Sequence, residues 1–282
     1  MINGRRIKAM GERGTTIQEV KRFWEKHPLL SSFIPHPLGS KEFFEAFDCE
    51  RERIEPLSIQ RLVYDFKGGE NKTVLDVGCG NGWVLANFFR EGAQCFGLDL
   101  TQKAVDLSQK RFEMINGGAY FTVANAEELP FRDSSFDIAT AMGVLHHTPD
   151  INKAIQEIHR VLKPGGRIVL MLYHKNSVLY RLYIPMKLLY EVMKKRRFSL
   201  SIQDLLNRVD GDGNPLGRVY SRNDVKKMLL NFKHVKIMTH LVEAYEIPLI
   251  GRLIGRRSRE MLSACFGWFL YSWGIKKSCS IR

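Results

Sequence analysis

Three glycines at alternate positions, Gly78, Gly80 and Gly82, follow the apolar run Val74-Leu-Asp-Val77 and precede a second apolar segment opening with Trp83, Val84 and Leu85. A strand that runs through glycines into a helix brings bare backbone up to a ligand, at the positive end of the helix dipole. Asp99 closes a further apolar run, Cys95-Phe-Gly-Leu-Asp99, and lies 19 residues after Gly80. A nucleotide-type site places there the acid that accepts ribose hydroxyls. The glycine spacing decides which nucleotide. A dinucleotide fingerprint needs a third glycine at position 83, for close helix–strand packing, and Trp83 fills that place. What stands instead is Asp76-x-Gly78-x-Gly80-x-Gly82. Further along, His146-His147 and Tyr173-His174 offer groups able to accept or hold a proton.

This stretch resembles the first motif of the class I S-adenosylmethionine (SAM) methyltransferases. The resemblance covers about Lys72 to Tyr173. Within the class it is most similar to the branch containing the ubiquinone and menaquinone biosynthesis C-methyltransferases. It is carried by Val74-Leu-Asp-Val-Gly-Cys-Gly-Asn-Gly82, Ala126-Glu-Glu-Leu-Pro-Phe131, Ser135-Phe-Asp-Ile138, Gly143-Val-Leu-His-His147 and Arg160-Val-Leu-Lys-Pro-Gly-Gly166. The resemblance implies SAM as cofactor and gives each position a role. Gly78 and Gly80, with Cys79 between them, let the backbone reach the methionine part, and Asp76 binds the amino group directly or through water. Asp99 accepts both ribose hydroxyls and Leu100 sits against the adenine face. Ala126 and Glu127 correspond to the adenine-edge contacts. Asn125 stands where many relatives carry Asp, so a contact through a carboxylate is lost there. Met142 and Gly143, just past the fourth strand, approach the sulfonium. His147 and Tyr173 are the candidate catalytic groups beside them, although in the resembled family the histidine pair often serves structure, bonding the following turn. Asp137 reads as a turn residue rather than a cofactor contact.

Apolar runs and helical periodicity supply the elements that would hold these residues. Strands are expected at 73–77, 94–99, 119–123, 136–141 and 167–173, and helices near 83–91, 102–115 and 150–162. Alternation of strand and helix argues for a parallel sheet covered on both faces. The fold expected is therefore α/β, the Rossmann-like three-layer sandwich of a class I methyltransferase, with a mostly parallel seven-stranded sheet. Residues 1–14 read as disordered. Thr16-Ile-Gln-Glu19 has capping-box form and starts a helix that His27-Pro28 ends. Further helices are expected around 41–47 and 56–66, so that 1–66 forms an N-terminal helical cap and 67–282 the methyltransferase domain. A basic helical insertion is expected at about 176–230, kinked or broken at Pro185. Asp210-Gly-Asp-Gly-Asn-Pro215 reads as turn chemistry. Ser221-x-x-Asp224 resembles a helix start, and two strands are expected near 235–241 and within 267–275.

Composition narrows the partners. The 282 residues carry 43 basic and 30 acidic side chains, a net charge of +13. Residues 173–282 hold 21 of the basic and 8 of the acidic ones, so the whole excess lies there, outside the glycine motif. Such a balance points to an acidic partner such as phosphate, anionic lipid or nucleic acid. Five scattered cysteines without metal spacing fit a reducing cytoplasm. No apolar signal core follows Arg5 and Arg6. The longest uncharged apolar stretch, Met261 to Ile275, has 15 residues, short of the roughly 20 of a membrane span. The Asn/Asp-Pro-Pro-aromatic loop of exocyclic amine methylation is replaced by Met142-Gly-Val-Leu145. The Pro-Cys nucleophile of cytosine C5 methylation is absent, since no Cys lies between Cys95 and Cys265. A small-molecule or lipidic acceptor is favoured, with peripheral contact to an anionic membrane. The alternatives are an RNA methyltransferase using the basic part on phosphates, and a SAM-binding module without transfer activity.

Overall fold

β1 (Thr73–Val77) is central because Val74, Leu75 and Val77 are all fully buried, on both faces of the sheet. It pairs in parallel with β2 (Gln94–Asp99) on one side and β4 (Phe136–Met142) on the other. Outside these lie β3 (Ala119–Val123), parallel to β2, and β5 (Leu162–His174), parallel to β4. β8 (Phe269–Lys276) runs antiparallel to β5, and β7 (Phe232–His240) antiparallel to β8. The seven expected strands thus take the order β3-β2-β1-β4-β5-β8-β7, and a two-residue β6 (Val219–Tyr220) adds to the end of β5 off this path. The computed structural model describes residues 14–31, 33–195, 200–248 and 250–278. The expectation of disorder at the start of the chain falls outside them, apart from Gly14.

Alternate side chains of each strand feed two cores, which makes the sandwich three-layered. Leu75, Val77, Leu98, Ala139 and Leu170 pack with α6 (Ile151–Val161) and α9 (Arg222–Met228) on one face. Val74, Cys95, Ile138 and Val169 pack with α4 (Trp83–Arg90), α5 (Gln102–Met114) and the N-terminal helices on the other. α6 is the plainest case. Asp150 accepts from the backbone N–H groups of Asn152 and Lys153, and Ile151, Ala154, Ile155, Ile158 and Val161 bury one stripe.

Ahead of the sheet stand α1 (Ile17–Lys26), α2 (Lys41–Ile54) and α3 (Leu57–Val63). Thr16 and Glu19 cap α1 reciprocally and His27 ends it, as their spacing predicts. α2 continues a further two turns past the expected Phe47. Its charged second half is carried by i,i+3 and i,i+4 pairs, Arg53 with Glu50 and Arg51 with Glu55. Glu55 is wholly buried. It accepts from Arg51 at 2.6 Å and from the Tyr64 hydroxyl at 2.7 Å, and Tyr271 of β8 also donates to it. One carboxylate therefore ties α2 and the end of α3 to the sheet. Burial and the neighbouring charge push both phenols well above their ordinary range.

After β5 the chain departs from simple expectation. Pro185 does not break the helix: a π-helical turn, Leu179–Tyr183, runs straight into α7 (Ile184–Lys195), with Pro185 in its first turn. The wider turn before it accommodates a residue that can neither donate an N–H nor tolerate the i−4 carbonyl at normal pitch. α8 (Ile202–Asn207) and α10 (Arg256–Phe266) complete the fold. No helix of the described residues is long and apolar enough to cross a membrane.

Removing the Glu55 carboxylate leaves the Arg51 charge buried and unpaired, a change that typically costs about 3–5 kcal/mol. Glu55→Ala should lower unfolding free energy by that amount in a urea titration. A loss under about 1 kcal/mol, the range of an exposed pair, would show that the cluster does not hold the N-terminal helices to the sheet.

Candidate active site

The strand order reverses between β1 and β4, so the connections leaving their ends diverge and open a crevice at the carboxyl edge of the sheet, where open α/β sheets bind ligands. Both edges of the crevice are glycine turns. Gly78 has φ +79°, and a Cβ there would stand 2.3 Å from Val144, just beyond β4. Gly80 has φ +57°, and a Cβ there would meet no protein atom within 4 Å. Position 78 is thus kept bare by the protein itself, whereas position 80 borders open space. The loop is strapped to the end of β2: Gly78 and Cys79 donate N–H groups to the Leu98 carbonyl, and Gly80 donates to Asp99 at 3.2 Å.

A cleft of about 980 Å³ of free space, part of it open to solvent, occupies this crevice. Of the residues singled out from sequence, Gly78, Gly80, Asp99, Leu100, Asn125, Ala126, Met142, Gly143 and His147 line it together. Asp99 is held by the Thr101 N–H at 3.0 Å and hydroxyl at 2.9 Å. Burial raises its pKa, and those donors oppose the rise. Asp76 lies beneath the lining, accepting from the Thr140 hydroxyl at 2.5 Å, and burial pushes its carboxyl up to about 7.

The far half of the cleft is apolar and comes from α1 and the turn after it: Ile17, Val20, Trp24, Pro28 and Leu29. α1 is fixed over the opening at several points. Glu25 accepts from the backbone N–H groups of Gln102 and Lys103, at the start of α5. Thr15 donates to the Pro215 carbonyl, and the Trp24 ring meets His147 edge-on at 5.0 Å.

Residues 75–170 match the family model of a methyltransferase domain. The glycine and Asp99 half of the cleft falls within that same stretch. The ubiquinone biosynthesis O-methyltransferase of Vibrio cholerae is 32% identical over 134 residues, 45% of this chain and 53% of its own length. The sterol 4-C-methyltransferase of Caenorhabditis elegans is 34% identical over 102 residues, 36% of this chain and 30% of its own. The chain therefore spans about half or less of the length of these curated relatives, and the shared part is the methyltransferase domain. In fold, the geranyl diphosphate C-methyltransferase of Streptomyces coelicolor superposes with a TM-score of 0.55 at 17% identity, covering 93% of this chain and 97% of its own. The agreement there is one of architecture.

A class I methyltransferase domain takes its methyl group from SAM, and the residues present fit that cofactor. Gly80 leaves open space beside a fixed carboxylate, and the half-buried Asp99 faces, and the buried Asp76 underlies, the part of the cleft that a cationic ligand would enter.

Several expected contacts lie elsewhere. The Cys79 thiol points away from the cleft toward Ser108, so only its backbone belongs to the loop. Glu127 spends Oε1 on the Thr148 hydroxyl and the Asp150 N–H, bracing the entry to α6, and stands outside the lining. Tyr173 is also outside the lining. It donates its hydroxyl to Asp210 and packs between His146 and Trp268. His146 is fully buried with both ring nitrogens unpartnered, and burial drives its pKa well down. His174 bonds the Gly267 carbonyl. Asp137 binds Thr73 and Lys163 below the opposite edge of the sheet, as a structural residue.

The residue that sequence reading passed over is Asp210. Its side chain is only 10% exposed, and its Oδ2 stands 3.6 Å from His147 Nε2. His147 in turn donates Nδ1–H to the Leu216 carbonyl at 2.5 Å, which leaves Nε2 buried and without a hydrogen-bond partner beside Asp210. Burial raises the Asp210 pKa against the pull of His147 and Tyr173. Only the acidic spacing of its turn signalled it, and that signal is shared by any solvent loop.

This geometry has two measurable consequences. Asp99→Ala should weaken SAM binding about ten- to hundred-fold, the loss of roughly 1.5–3 kcal/mol of charge-assisted hydrogen bonds. Calorimetry giving unchanged affinity in a folded variant would contradict the assignment. The second concerns Asp76, whose folded value of about 7 lies above the ordinary 3.8. Its contribution to stability is present below the ordinary value and lost as pH rises through 7. The ligand-free protein should therefore lose melting temperature between about pH 4 and 7, and Asp76→Asn should flatten that decline. An equal slope in both proteins would exclude Asp76 as its source.

Proposed function

We propose that the chain transfers the SAM methyl group to a small apolar or lipidic acceptor by in-line displacement. The observation that carries this reading is the continuity of the cleft. Its glycine and Asp99 half meets, without a wall, an apolar half roofed by Ile17, Val20 and Trp24. Bound SAM supplies an activated methyl group with a neutral thioether as leaving group. The chain's own residues hold, align and keep dry. Gly78 and Gly80 present backbone to the cofactor, and Met142 with Gly143 forms the floor at the end of β4. The α1 helix excludes water from the acceptor side, so that 1–66 acts as a cap on the domain after it.

Among the described residues, His147 is the titratable side chain at the junction of the two halves. With Nδ1–H committed to Leu216, the Nε2 lone pair, buried beside Asp210, is the one left to take a proton from an acceptor that reaches it. Asp210, 3.6 Å away, stabilises the imidazolium that results, and the Tyr173 hydroxyl holds Asp210 in position. Tyr173 is in this reading a positioning residue.

The relatives' printed activities, on a ubiquinone precursor and a sterol, support an apolar ring-bearing acceptor. The reading is tested by incubating the protein and SAM with lipid and small-molecule extracts, and watching for products heavier by one methylene. No such product, with SAM bound, would leave a binding module. On the acceptor so found, His147→Ala should lower kcat about a hundred-fold or more, the range of general acid–base catalysis, with SAM affinity unchanged. Asp210→Asn should move the acidic limb of the pH–rate profile, and Tyr173→Phe should cost less than either. A fall in melting temperature with kcat per folded molecule intact would make the histidine structural.

A further inference from the structure

The exposed side of α7 has the wrong chemistry for a surface that meets only water. Leu182, Met186, Leu189, Tyr190 and Met193 recur at intervals of three and four, which puts them on one stripe. All five are exposed, Met193 at 71% and Leu189 at 61%. The helix has a separate buried side. Leu179 of the π-helical turn and Ile184 pack with Tyr173, Leu205, Leu206 and Trp268, against the carboxyl end of β5. The outer stripe is therefore apolar in addition to the core-facing one. A soluble helix normally turns polar residues outward there.

A second segment extends the patch. Tyr183, at the end of the π-helical turn, meets Tyr245 edge-on at 5.6 Å. Tyr245 is 59% exposed, and beyond it Ile250 and Leu253 are 54% and 85% exposed. Basic side chains frame both pieces. Arg181, Lys187 and Lys194 flank the α7 stripe, and Arg252, Arg256 and Arg257 flank the second segment, all exposed. Lys187 and Lys194 lie over the rings of Tyr183 and Tyr190 at 6.0 and 5.8 Å. Aliphatic side chains outermost, tyrosines among them and cations at the margin is the arrangement that a bilayer interface selects.

We propose that α7 and the segment carrying Tyr245, Ile250 and Leu253 form one docking surface for an anionic lipid bilayer. Charge decides for lipid of this sign, because the basic excess of the chain lies in residues 173–282. The apolar side chains decide against RNA. Nucleic acid would use the cations and leave Leu189, Met193 and Leu253 in water, whereas a bilayer covers both. The surface lies outside the cleft, so it stands or falls apart from the methyl-transfer reading. It also sits at the carboxyl end of β5, the edge of the sheet that holds the cleft, so docking there keeps the acceptor side near the membrane.

Flotation of the full chain with vesicles tests this. Vesicles of equimolar phosphatidylserine and phosphatidylcholine should carry the protein up the gradient at low salt, and pure phosphatidylcholine should not. Leu189→Asp with Met193→Asp and, separately, Leu253→Asp should each lower partitioning about ten-fold or more, by removing buried apolar area and adding like charge. Lys187→Gln with Lys194→Gln, Arg252→Gln and Arg257→Gln should do the same, each cation being worth roughly five-fold at low salt. SAM affinity, unchanged in every variant, certifies the fold. Equal recovery in the unbound fraction with both vesicle types overturns the proposal. So does retained binding by the aspartate variants, which would make the surface a polyanion site without insertion. A concentration-dependent dimer in sedimentation velocity that Leu189→Asp abolishes would give the face to a second copy of the chain and overturn it as well.

Discussion

The reversal of strand order between β1 and β4 is the constraint on which the rest depends. Two parallel strands whose connections leave in opposite directions cannot close the space above their carboxyl ends. The backbone bordering that space must therefore be bare where it is crowded, and the polar side chains there fixed. Gly78 carries no side chain because Val144 already fills its position from the β4 side. Asp99 is fixed by Thr101 and by the amide of Gly80, so the acid and the bare loop locate each other. A change at any of these points moves both walls of the cleft.

Burial then sets the electrostatics. Asp76, Asp99 and Asp210 are all desolvated around one cleft, and in each the dominant effect is an upward pKa shift from that desolvation. One buried and two half-buried acids, whose partners are hydroxyl, amide and imidazole groups, form a site that gains by taking up positive charge. SAM carries a sulfonium and an ammonium group, and an imidazolium forms at His147 if it accepts a proton. The same field favours all three. The Arg51–Glu55 cluster, by contrast, is internally neutral and serves only to hold the N-terminal helices against β8 and Trp83.

What could be read in the sequence was whatever local pattern dictates. The bounds of β1, β2 and β3 come out residue for residue; for the central β1 the reason is two-sided burial, which demands a continuous apolar run. The caps of α1 and α9 are equally local, resting on Ser or Thr three residues before an acid. Long-range consequences were not legible. Asp210-Gly-Asp-Gly looks like a solvent turn, and only tertiary packing brings Asp210 to His147 and Tyr173. Glu127 and Tyr173 carry the chemistry expected of site residues, but Glu127 Oε1 is drawn to the entry of α6 and the Tyr173 hydroxyl to Asp210. α8 and α10 lack strong periodicity, and their helicity comes from the surfaces they dock against. Pro185 fails as a breaker because a change of pitch upstream removes the clash that would have broken the helix.

The chain thus keeps two charge environments apart. The glycine and Asp99 half of the cleft lies within residues 61–172, which carry one more acidic than basic side chain. The basic excess is confined to residues 173–282, none of whose described residues lines the cleft. Were the same cations near the cleft, they would compete for Asp76 and Asp99 and oppose a cationic cofactor through a medium that screens poorly. Set on the outside, across a surface screened within about 8 Å at physiological salt, they can act on an anionic partner without weakening the site.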